Sequence, residues 1–217
     1  MYRIFSTLSL VSAVVVGFAV FRPAAAQSAV ETGRPSLAVL TSMSAEEQTR
    51  LALSTAPPDV TARASLYVLA AGGYKQVRAG TNGFSCLVER ELLETIEPVC
   101  YDAEGSATTL KARLYREELR AKGLSEDEVK RRIEAAYRDG RLRAPSKPGL
   151  IYMLAPEQLT WDPYTKKIVA APPHLHFYAP YATQDDVGGF AGRHMPMVLW
   201  PGQPDANIVM MVKEAGR

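Results

Sequence analysis

The sequence predicts an α+β fold: an antiparallel β-sheet carrying an inserted helical hairpin. Three observations carry that expectation. Residues 65–89 hold strand-forming runs separated by glycine turns, and residues 108–140 hold two amphipathic helical patterns with end signals. The last third, Pro145 to Arg217, contains ten of the fifteen prolines, with short strand-like pieces between them.

The first helix signal is Ser44-Ala45-Glu46-Glu47. Ser44 is placed to cap the first amides and Glu47 to reach back to its backbone. Leu51 and Leu53 continue the helix toward Pro57-Pro58, which stops it. Ser65 to Ala70 then reads as a strand, Gly72-Gly73 as a two-residue turn and Tyr74 to Ala79 as the returning strand. Asn82-Gly83 signals a second hairpin turn, after which Phe84, Cys86 and Val88 share one face of a third strand. The expected product is a three-stranded antiparallel meander at 65–89.

In the helical region Leu110, Leu114 and Tyr115 are expected on one side, and Gly123 ends the first helix. The second helix starts with Ser125 as cap, Glu128 three residues on and Leu124 placed to staple against Val129. Val129, Ile133, Ala136 and Tyr137 keep a period of 3.6, and Gly140 closes it. Eleven Lys and Arg from Lys111 to Arg143 face seven acids from Glu117 to Asp139. No aromatic residues interleave with them as a nucleic-acid surface requires, so they read as a solvated outer face, with Glu126 and Lys130 at supporting i,i+4 spacing. The strand-like pieces beyond are 150–153, 167–169, 175–178, 197–200 and 207–212.

Met1 to Ala26 has the form of a secretory signal peptide: Arg3 in the n-region, an apolar run from Leu10 to Phe21, and Ala24-Ala25-Ala26 before a cleavage site. The expected organisation is a leader at 1–26, a mobile N-terminal arm at 27–43 and one globular domain at 44–217. The apolar run is too short for a spanning helix, so no stable membrane anchor is expected after cleavage. Loss of Arg3 and Arg22 with the leader takes the formal charge from +2 to zero. That removes any global field favouring nucleic acid. The implied compartment is periplasmic or extracellular, where Cys86 and Cys100 are expected to pair as a structural disulfide.

Two groups could support chemistry. His174 and His176 fall on the same side of an extended strand, and His194 could join them as a third metal ligand. Their alternative is an ordinary loop-edge role with imidazoles bonded to backbone carbonyls. Asp102 and Glu104 directly follow Cys100 and could be held as a catalytic pair, with His174 close by. The alternative is that Asp102 caps a turn and Glu104 enters a helix. Phosphate-loop, dinucleotide, H-E-x-x-H and G-x-S-x-G patterns are absent.

Three stretches, Arg78 to Cys86, Pro98 to Gly105 and Pro172 to Pro180, resemble a group of exported bacterial proteins to which no function is assigned. The resemblance runs from about Pro57 onward. It implies export and a single domain containing both cysteines, and it carries no activity. That group's pattern has the histidine at 174 and more often an apolar residue where this chain has His176.

The leading expectation is an exported soluble protein that binds a small molecule or a protein partner without catalysis. The competing one is a metal-assisted or carboxylate-based enzyme using His174, His176, Asp102 and Glu104. A divalent metal is the only cofactor considered, and it is not favoured.

Overall fold

Strands β1 (Ser65–Ala70) and β2 (Gly73–Arg78) form a hairpin in which Ala70 faces Gly73. The two-residue turn is therefore Ala71-Gly72, one position earlier than the glycine pair suggested. In the computed structural model, residues 40–162, 165–189 and 196–212 are described, and all fall within one compact unit, Leu37–Arg217. The leader at 1–26, most of the expected arm and His194 lie outside the described residues.

The meander expected at 65–89 does not form. Strand β3 (Ser85–Glu89) leaves β2 at the sheet edge and pairs with the other side of β1, parallel to it, with Ser65 opposite Ser85 and Leu66 opposite Cys86. The cause lies in residues 79–84. Thr81 N–H donates to Arg63 O at 2.8 Å, Gly80 N–H to Ser65 Oγ at 2.9 Å, and the Asn82 amide to Val60 O at 2.8 Å. The Arg78 guanidinium donates to the carbonyls of Ala64 and Thr61. These bonds carry the chain beneath the start of β1. Gly80 permits the passage, since a Cβ there would stand 2.2 Å from Ser65 N. Asn82 Oδ1 accepts from Phe84 N–H, so the Asn-Gly signal marks a bend in this crossover.

From β3 the sheet is antiparallel. It continues through β4 (Glu97–Tyr101), β5 (Leu150–Met153), β8 (His174–Tyr178), β10 (Asn207–Met211) and β9 (Met197–Leu199), in the order β2-β1-β3-β4-β5-β8-β10-β9. The intervening β6 (Leu159–Asp162) and β7 (Lys167–Ala170) form a separate two-stranded sheet. Helices α3 (Ala103–Ala107), α4 (Thr109–Ala121) and α5 (Glu126–Arg138) are inserted between β4 and β5. Beyond them β5, β7, β8, β9 and β10 lie close to the predicted pieces, whereas β6 was not anticipated.

Each face of the sheet is covered by helix. On one face Cys86, Cys100 and Leu66 pack with Ala52 of α1 (Ala45–Leu53) and with Ala56, just before α2 (Pro58–Thr61). Ser44 and Glu47 make both bonds of the expected capping box. On the other face Leu87, Val99, Tyr101, Ile151 and Met153 pack with Leu110 and Leu114 of α4. Tyr115 leaves that stripe and packs with Val129, Ile133 and Leu124 in the α4–α5 cluster. Leu124 packs against the cluster that holds Val129, and Ser125 Oγ accepts from Glu128 N–H. Leu40 is fully buried with Leu51, Leu69, Val88 and Ile96, so apolar packing orders the chain before residue 44.

Candidate functional site

The Cys86–Cys100 disulfide joins directly opposed residues of β3 and β4, with Cα atoms 4.0 Å apart. Asp102 follows at once, and its carboxylate is fully engaged in structure. It accepts from Gly105 N–H at 2.9 Å as the cap of α3, from Leu150 N–H at 2.9 Å and from the Tyr178 hydroxyl at 3.1 Å. Glu104 is half-buried and turns to a different loop, accepting from Ser146 N–H at 2.6 Å and from its hydroxyl at 3.2 Å. The Ser146 amide holds the Glu104 carboxyl below its usual range. The two carboxylates therefore serve separate connections.

His174 and His176 do share a face of β8, with ring centroids 5.0 Å apart, and both are buried. His174 Nδ1 meets Pro172 O at 2.7 Å, which fits a proton on that nitrogen. Burial depresses both imidazoles, His176 further because His174 and Arg113 lie nearby. His174 stands four residues from Tyr178 along an extended strand, about 13 Å. The fold therefore sets it at the other end of β8 from the Asp102 cap. Among the described residues no group of three or more His, Cys, Asp or Glu side chains could hold a metal.

A cleft of about 810 Å³ opens elsewhere, between α4 and α5 on one side and Tyr181 and the Trp200–Asp205 segment on the other. Its size is that of a small-molecule site. Tyr137, Tyr181 and Trp200 supply aromatic walls, with Val129 and Ile133 as apolar neighbours. Arg113 lies over the Trp200 ring, 4.3 Å from its centroid, a cation–π contact. Its guanidinium pairs with Asp205 at 3.2 Å and approaches Glu89 at 3.6 Å. The Asp205 pair is electrostatic: Nη1 is within ion-pair distance but is not aligned for a hydrogen bond.

Beside this pair runs a second chain of charges. Arg90 meets Glu117 at 2.7 Å, Arg120 meets the other oxygen of Glu117 at 2.6 Å, and Arg120 also reaches Glu126 at 2.8 Å. Glu126 is drawn to Arg120 and away from Lys130, its expected i,i+4 partner. Two donors facing the cleft are left over. Among the described residues the half-buried Arg116 makes no ion pair and no hydrogen bond, with Asp205 and Glu89 attracting it from longer range, and the buried Tyr137 hydroxyl has no partner either. Burial, and secondarily the neighbouring Arg113, depress the Arg116 guanidinium.

These residues correct the reading of the helical charges as a solvated face. Arg113 is 4% and Glu117 3% exposed, and both point inward. The signal was present: Leu110, Arg113, Leu114 and Glu117 follow the i, i+3, i+4, i+7 spacing of one stripe, so two charges occupy inward positions. Their partners, Glu89, Arg90 and Asp205, are distant in sequence and only the fold brings them in. Comparisons with protein-family models, with curated proteins and with solved structures found no match to this chain.

Proposed function

We propose that this chain is an exported, non-catalytic binding protein whose ligand is a small molecule held in the cleft between the α4–α5 helical hairpin and the Trp200–Asp205 segment. The observation that carries the reading is the coincidence, in one cleft, of three aromatic side chains with the unpartnered Tyr137 hydroxyl and with Arg116, which makes no ion pair. Such a mix of apolar wall and a few unspent polar groups is what a ligand site requires. The engagement of Asp102 as a cap and the separation of Glu104 favour binding over a carboxylate mechanism. A net charge of zero after loss of the leader argues against a nucleic-acid partner.

Export is supported by the leader pattern and the Cys86–Cys100 disulfide, together with the lack, among the described residues, of any helix long and apolar enough to cross a membrane. Mass spectrometry of protein recovered from a periplasmic or extracellular fraction tests it: the expected chain begins at Gln27, and a chain retaining Met1 overturns it.

The cleft is tested with Trp161→Phe, which leaves Trp200 as the single tryptophan reporter. Its fluorescence is followed during titration with 3-phenylpropionate, 3-phenylpropanol and 3-phenylpropylamine up to about 10 mM, enough to fill even a site with Kd near 1 mM. A saturable change with at least one compound is expected. No saturable change with any of the three overturns the reading.

A further inference from the structure

We infer that the cleft selects an organic anion, a carboxylate on an apolar or aromatic body, with Arg116 and the Tyr137 hydroxyl receiving the carboxylate. The inference rests on the binding reading above and specifies its ligand class. It follows from an accounting of the charged groups around the cleft floor. Asp205 is held by Arg113, Glu117 by Arg90 and Arg120, and Glu126 by Arg120. Each of these acids already faces a guanidinium. Arg116 is the cation left without an ion-pair partner, half-buried on α4.

Arg116 is half-buried, and Asp205 and Glu89 attract it only from beyond ion-pair distance, so its guanidinium is incompletely compensated and a ligand carboxylate would complete it. The planar fork matches a carboxylate with two parallel bonds, so the arrangement favours that group over a single-point anion. Tyr137 adds a third donor from α5. Its phenol is pushed above its usual range, first by burial and then by Asp205, so it stays protonated and donates. The rim acids Glu91, Asp127 and Glu134 are accompanied by Lys130 and Arg138. Asp127, Lys130 and Arg138 are exposed, so charge there is screened, while Glu91 and Glu134 are half-buried like Arg116. Tyr181 and Trp200 line the same cleft and offer it the aromatic surface on which an apolar ligand body would lie.

The three phenylpropyl compounds differ only in their terminal group, so the same titration discriminates. In the Trp161→Phe background, 3-phenylpropionate is expected to bind at least about tenfold tighter than 3-phenylpropanol, and 3-phenylpropylamine weakest. Arg116→Gln should collapse the preference for the carboxylate over the alcohol to within about threefold. Arg116→Lys should keep part of it, because charge remains while the fork is lost. Tyr137→Phe should lower the preference by about threefold to tenfold. Equal binding of all three compounds, or a preference unchanged in Arg116→Gln, overturns the anion assignment and leaves the binding reading intact. Absence of binding by all three overturns the binding reading itself. The comparison among ligands uses the Arg116 protein, so the outcome stands even where a variant fails to fold.

Discussion

The Tyr178 hydroxyl lies 3.1 Å from Asp102 Oδ1 and 3.2 Å from Leu150 O, sharing its proton between them. That relationship joins β8 to the end of β4 and to the start of β5. A carboxylate that sequence spacing offered as catalytic is thereby the fastening point of three elements. Burial, and then the Asp102 charge, push the Tyr178 phenol well above its usual range, so it remains a donor.

Asp102→Ala should cost about 2–3 kcal/mol of stability, from a lost helix cap and an unpaired Leu150 amide. The midpoint of urea unfolding measures it. Binding of 3-phenylpropionate should stay within about twofold. A large loss of binding in a folded Asp102→Ala protein would restore Asp102 to a functional role.

Gly149→Ala should be destabilising although the substitution is small. A Cβ at Gly149 would stand 2.2 Å from Asp102 Oδ2, so the cap must move or the strand entry must shift. A loss of about 1–3 kcal/mol is expected. Thermal unfolding at or above the parent midpoint would refute this close approach.

Glu117→Ala should cost about 3–5 kcal/mol, because it strands Arg90, whose buried guanidinium meets Glu117 at 2.7 Å. Arg120 keeps Glu126 and loses less. The exposed pair Arg50 with Glu157 provides the contrast: removing Glu157 should change stability by less than about 1 kcal/mol. Equal effects of the two substitutions in chemical unfolding would contradict the inward placement of α4's charges.

Two buried groups give opposite pH dependences. Glu97 is raised to about 8, chiefly by burial and then by Glu91 and Glu89. Between about pH 4.5 and 8 the folded chain keeps this proton while the unfolded chain has lost it, so stability falls as pH rises through that window. Glu97→Gln should flatten the fall, by up to about 1.4 kcal/mol per pH unit. His176 is depressed, so below about pH 6.5 the unfolded chain binds a proton that the folded chain refuses, and stability falls as pH drops. Its Nε2 is buried without a partner, so His176→Leu should flatten the acid side with little cost near pH 7. Unfolding free energies measured from pH 5 to 9 test both signs, and unchanged slopes in the two variants would refute them.

Reduction of the Cys86–Cys100 bond, whose partners are 14 positions apart, should cost about 3 kcal/mol in the chain-entropy account. Unfolding with and without reductant reads this directly. No difference would mean that the pairing of β3 with β4 already confines the unfolded chain there.

Much of the fold was legible where the signal is local. The Ser44–Glu47 capping box and the Ser125 cap depend on residues within a few positions, and each formed as the sequence specified. The Asn82-Gly83 turn was equally visible, but its consequence was not. Whether the chain doubles back beside β2 or crosses beneath β1 depends on Arg63, Ala64 and Val60, which accept or crowd the passing segment. Local propensity cannot rank those two routes, because both use the same bend.

The candidate site was less legible for the same reason. Asp102 and Glu104 are two positions apart, yet one meets Leu150 and Tyr178 while the other meets Ser146. By itself, the sequence determined the mixed class, the starts of α1 and α5, most of the strand pieces and the cysteine partners. Tertiary structure decided the parallel β1–β3 pairing, the inward turn of Arg113 and Glu117, and the cleft holding the unmatched Arg116. Spacing along a chain sets which face of an element a side chain shares. Whether that face meets water, apolar surface or an opposite charge is set by the elements packed against it.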